Sequence, residues 1–142
     1  MLMACGGPEA RPEPAPTPPT GATILPGDPH RVSELAQLMR DMVAFADSTK
    51  RRLEHDEDLM PKPAVFANML TAQSTPGMVD HRVFDPFALA YLRQLDSLYA
   101  VPASGRQQAF DELIQYCAAC HGSVCPGPLT RINKLHLEKT AH

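Results

Sequence analysis

The run Cys117-Ala118-Ala119-Cys120-His121 reads C-x-x-C-H, and no other stretch constrains this chain as much. The spacing is the covalent attachment signature of a c-type haem. Each residue has a chemical task. The two thiols add across two vinyl groups and become thioethers, and the histidine that follows gives the iron a nitrogen ligand. Other readings stay open beside this one. A redox dithiol would need the strand-then-helix of a thioredoxin-like unit, and nothing nearby has that pattern. A zinc site could draw on Cys117, Cys120, Cys125 and either His121 or His136, but adjacent Cys120 and His121 are awkward joint ligands and no second C-x-x-C follows.

The surroundings of the motif read as helix. Phe110, Leu113, Ile114, Cys117 and His121 recur at helical spacing on one face, so the attachment residues lie where apolar side chains of other helices can wrap a porphyrin. Ser104 and Gln107 form a capping box that starts this helix, and Gly122 is placed to end it. Aromatic residues make up only 6% of the chain and Trp is absent. Leu, Ala and Met supply most of the apolar side chains, which favours helices over a sheet.

Three more helices precede it. Asp28 caps the first with Pro29 at its first position. Its apolar face comprises Val32, Leu35, Leu38, Met39, Met42, Val43 and Ala46. It continues towards Leu53 and ends in the solvated run Glu54 to Asp58. Met60-Pro61-Lys62-Pro63 breaks the chain, and 64–72 is a short second helix. Residues 73–82 form a loop with His81 at the surface. Asp85-Pro86 starts the third helix, whose stripe holds Phe87, Leu89, Ala90, Tyr91, Leu92, Leu95, Leu98 and Tyr99, and Pro102 ends it. After the turn Cys125-Pro126-Gly127-Pro128, residues 129–139 form a short final helix.

The chain splits into residues 1–29 and 30–142. Leu2-Met3-Ala4-Cys5-Gly6-Gly7 resembles a bacterial lipoprotein processing box, which implies lipidation of Cys5 and an anchor in the envelope. The basic and apolar regions of a signal peptide, which precede such a box, are expected upstream of Met1. Eight prolines between Pro8 and Pro29 prevent regular structure and make a semi-stiff spacer. A net charge of −3 argues against a nucleic-acid partner, and no stretch is apolar enough to span a bilayer.

Four helical segments with C-x-x-C-H on the last resemble the cytochrome c prime family, the class II c-type cytochromes. The resemblance covers residues 30–122. It implies an all-α four-helix bundle with one covalent haem c near the C-terminal end of the last helix, His121 as proximal ligand, and, in many members, a homodimer. Arg31 with Leu35 four residues on is similar to the first-helix pattern of that family, which implies that Leu35 lies over the distal haem face. The commonest small c-type cytochromes differ, with an N-terminal motif and a Met ligand far downstream; here no Met follows His121. The chain departs from class II in two places. Cys125 stands where a basic residue often follows the haem histidine, and Pro126 to His142 extend beyond the motif.

The sixth iron position separates the functions. Met39 or Met42, with Met69 behind them, would give Met/His ligation and an electron carrier for redox partners in the periplasm or outer envelope. Leu35 there would leave an open site for nitric oxide or carbon monoxide. Electron transfer is the favoured expectation. Peroxidase chemistry needs a distal acid or base, and neither His30 nor His55 shares the Leu35-Met39-Met42 face. A zinc-binding lipoprotein without haem is the remaining class.

Overall fold

The computed structural model describes residues 31–138. Cys5, the lipoprotein-like box, the proline-rich run and the Asp28-Pro29 cap lie outside them. Among the described residues the fold is all-α, with no strand. It comprises α1 (Glu34–Glu54), a 3-10 helix (Ala64–Leu70), α2 (His81–Ala100), a 3-10 turn (Ala103–Gly105), α3 (Arg106–Val124) and α4 (Leu129–Asn133). Among these no helix is long and apolar enough to cross a membrane.

α1 begins later than the Asp28-Pro29 signal predicts. Ser33 is its cap, and its hydroxyl accepts the Ala36 N–H at 3.2 Å. A second free donor of the first turn, the Leu35 N–H, goes to the Gln73 carbonyl at 3.0 Å. The Gln73 N–H in turn donates to the Glu34 carboxylate at 3.1 Å. Start and strap thus satisfy each other, as helix ends require. Val32 falls outside the helix and is exposed, whereas Phe45 and Leu53 join Leu35, Leu38, Met42 and Ala46 on the buried face.

The second helix is a seven-residue 3-10 helix rather than an α-helix. Phe66 and Met69, three apart and therefore on one 3-10 face, are its buried residues, and Phe66 meets Phe45 edge-to-face at 5.3 Å. α2 starts four residues before Asp85. Asp80 caps it by accepting the Arg82 N–H at 3.0 Å, and the guanidinium of Arg82 holds the Asp80 carboxyl below its usual range. Asp85 is no cap; it pairs with His81 at 2.8 Å. Pro86 therefore sits inside α2, where it removes the bond to the Arg82 carbonyl. Arg82 is exposed, so water can take that acceptor. The early start brings Phe84 into the buried stripe Phe84-Ala88-Tyr91-Leu95-Leu98, while Leu89 faces out.

α3 packs most extensively on α2. Its buried residues Ala109, Phe110, Leu113 and Ile114 form the centre of the core with Leu98. The capping box does not form. The cap position is Gly105, and Gln107 instead donates to the Leu53 carbonyl at the end of α1, at 3.4 Å. α3 also runs past Gly122 and ends at Val124. The terminator is Pro126, which pushes the preceding Cys125 into extended backbone, at φ −152° and ψ 87°.

α4 is shorter than expected and stops at Asn133, yet the segment is built into the core through Ile132 and Leu135. Arg131 pairs with Asp47 and Lys50 donates to the Lys134 carbonyl, both contacts with α1. The Leu137 N–H donates to Asp111 of α3 at 2.9 Å. Replacing Ile132 with Ala should therefore cost about 3 kcal/mol of stability in urea unfolding. A loss below about 0.5 kcal/mol would show that the C-terminal segment is no part of the core.

Candidate haem pocket

The buried face of α3 leads directly into the motif. One turn beyond Leu113 and Ile114 comes Cys117, then Cys120 and His121, all partly buried. The cysteines pack against the hydrophobic core and carry free thiols, as does Cys125. Burial, with Cys120 beside it, pushes the Cys117 thiol up to about 12. Burial also raises Cys120. Such thiols are almost wholly protonated near neutrality, the opposite of the low-pKa cysteines on which dithiol redox chemistry depends.

His121 is held from the following turn. Its Nδ1 lies 3.0 Å from the Cys125 carbonyl oxygen. A carbonyl only accepts, so Nδ1 carries a proton, and in the neutral imidazole Nε2 keeps a free lone pair. An Nδ1–H engaged in this way is how metal-ligating histidines are commonly oriented. The bond exists because Pro126 stops the helix one residue beyond Val124, leaving the Cys125 carbonyl within reach of the side chain four residues back.

These residues line a cavity of about 500 Å3, within the usual range for cofactor sites. α1 contributes Leu35, Met39, Met42, Val43 and Ala46; α2 contributes Phe84 and Tyr91; α3 adds Leu113, Ile114 and Val124 to the motif. The loop after the 3-10 helix supplies Met78 and Val79, and the C-terminal segment supplies Pro128, Ile132 and Leu135. Leu35, Met39, Met42, Cys117, Cys120 and His121, expected from the sequence to meet at one site, all line it. Met69 is buried but does not line the cavity, and Arg31 is exposed and does not line it either. An apolar cavity bordered by two thiols one turn apart and by a histidine with its Nδ1 already engaged fits a covalently attached haem.

Sequence reasoning missed several lining residues. Tyr91 belongs to the apolar stripe of α2, but its hydroxyl makes the position more than packing. Burial, with Cys117 and Tyr99 nearby, holds that hydroxyl well above its usual range, so it stays a donor. Met78 lies in the loop, where no periodicity could reveal it. The alternative zinc set does not gather: among the described residues no three His, Cys, Asp or Glu side chains are grouped to hold a metal, and His136 instead faces Asp111 at 3.3 Å. His55 caps α1, with Nδ1 against the Arg51 carbonyl at 2.7 Å, and does not line the cavity. His30 lies outside the described residues. Comparisons of the chain with protein-family models, with curated proteins and with solved structures found no match.

Because only the thiolate attacks an alkylating agent, Cys117 of the haem-free protein should react with iodoacetamide at pH 8 roughly a thousandfold more slowly than in the urea-unfolded chain. Residue-resolved mass spectrometry reads the two rates. Equal rates would show that the thiol is not buried as described.

Proposed function

We propose that this chain is a monohaem c-type haem protein, with haem c bound through Cys117 and Cys120 and with His121 as the proximal ligand. More specifically, we read it as a class II-like cytochrome, a lipid-anchored electron carrier of the bacterial envelope. The observation that carries this reading is the shared cavity: the C-x-x-C-H motif and the apolar α1 face Leu35-Met39-Met42 border the same space. In the four-helix reading, the Ala64–Leu70 segment takes the place of the second helix, a departure from the class II bundle.

A bound haem would supply a ferric/ferrous couple. The chain's own residues set its environment. The Cys117 and Cys120 sulfurs would each form one thioether, their protons passing to the former vinyl groups. His121 would ligate through Nε2, with Nδ1–H on the Cys125 carbonyl fixing the ring and strengthening the donor. Walls built from Leu, Ile, Val, Met and Phe keep the site poorly hydrated. Met39 is half-buried and Met42 buried, and either thioether would raise the potential and favour electron transfer. Leu35 on the same face supports a second reading, an open iron that binds nitric oxide or carbon monoxide. The anchor at Cys5, the redox partners and a homodimer belong to the proposal on sequence grounds alone.

Protein from cells able to attach c-type haem should keep its visible absorption through denaturing extraction, and the Cys117→Ala/Cys120→Ala double variant should lose it. Release of all haem from the wild-type protein would sink the reading. In the reduced protein, sharp low-spin bands that broaden in either Met39→Ala or Met42→Ala select electron transfer. A broad high-spin spectrum that shifts under carbon monoxide selects the gas-binding reading instead.

A further inference from the structure

The cavity is asymmetric in charge. Among the described residues no Asp or Glu lines it, but two arginines do, Arg40 and Arg131. Arg131 is already paired with Asp47. Arg40 has no ion-pair or hydrogen-bond partner among the described residues, although it sits on α1 one residue after the lining Met39 and three before the lining Val43. It is exposed, so it stands where the apolar space opens to water. The nearby acids on α1 are engaged elsewhere. Asp41 accepts from Gln37 at 3.0 Å, and Glu34 accepts from the Gln73 N–H.

An apolar cavity with one unneutralised cation at its opening suits a ligand with a flat apolar body and anionic groups along one edge. Resting on the haem reading, we infer that Arg40 receives the carboxylates of the bound cofactor and so sets which edge faces the solvent. The planar guanidinium can take one carboxylate through two parallel N–H···O bonds, a bidentate geometry that favours the pair even at an exposed position. The other polar groups lining the cavity do not compete for this role. Ser33, Ser74, Thr75 and Tyr91 are neutral; Cys117 and Cys120 are held protonated and would be thioethers in the holoprotein; and the His121 Nδ1–H is taken by the Cys125 carbonyl.

The test is the midpoint potential of the holoprotein between pH 5 and pH 8, after covalent haem has been verified in the wild type. A cation beside a carboxylate keeps it ionised throughout that window, so wild type and Arg40→Lys should give a flat profile. In Arg40→Gln the carboxylate pKa rises. As pH climbs through it the new negative charge favours the ferric state, so the potential falls with pH and lies below wild type at pH 8. Arg40→Glu should enlarge both effects. Potentials are read only on molecules that carry haem, so a lower yield of holoprotein does not obscure them. A wild-type profile in Arg40→Gln overturns the inference and leaves the haem reading intact, as does an equal change in Arg40→Lys. Absence of covalent haem from the wild type overturns both.

Discussion

The Cys125 backbone closes a reciprocal pair with His121. Its N–H donates to the His121 carbonyl at 3.1 Å, and its own carbonyl accepts from His121 Nδ1 at 3.0 Å. One residue therefore ends α3, orients the imidazole and begins the turn to α4. The pair requires Cys125 to leave helical geometry at that residue, and Pro126 enforces this by excluding the α region from its neighbour. Had Gly122 ended the helix, His121 would lie at a frayed terminus with no carbonyl placed for Nδ1. The orientation of the His121 ring, the length of α3 and the direction of the C-terminal segment thus share one cause.

That segment then becomes part of the pocket. Pro128, Ile132 and Leu135 line the cavity, and the ties of Arg131 and Lys50 bind the segment to α1. α1 is itself positioned from the other end, where Ser33 and the Gln73 strap complete its first turn. The cavity walls are held by hydrogen bonds at helix ends, and its floor by the packing of Phe84, Leu113 and Ile114. Ends and floor differ in what they tolerate. Packed side chains resist a change of volume, whereas the ends depend on single polar contacts that each contribute about 1 kcal/mol. An apolar space of this size is unfavourable to keep hydrated, so anything that fills it stabilises the fold through mass action.

Much of the site was legible because helical periodicity and a five-residue motif both survive without tertiary context. Cys117 and His121 continue the face of Phe110 and Ile114, and Leu35, Met39 and Met42 lie on the α1 face that borders the same space. Illegible features were those decided by competition between equally plausible local signals. Asp85-Pro86 is a good helix start, but Asp80 is reinforced by Arg82, and the earlier start buries Phe84. Ser104 and Gln107 match a capping box, yet Gln107 finds the Leu53 carbonyl of another helix. Tyr91 reads as one more apolar position until the fold shows that its hydroxyl is buried beside the cavity. The N-terminal expectations concern residues outside the described part.

Cys125 stands where the class II cytochromes that the sequence resembles often have a basic residue. The structure asks little of the side chain at this position. The contact with His121 is made by the backbone carbonyl, which any residue supplies, and its position comes from Pro126. A basic side chain at 125 would instead bring a third cation to a cavity already lined by Arg40 and Arg131, with Asp47 neutralising only one of them. A cysteine there brings no further cation, so the imidazole's environment is set by hydrogen bonding and burial. Charge and orientation are thereby separated: the C-terminal turn orients the imidazole, and α1 supplies a lining cation that has no partner among the described residues.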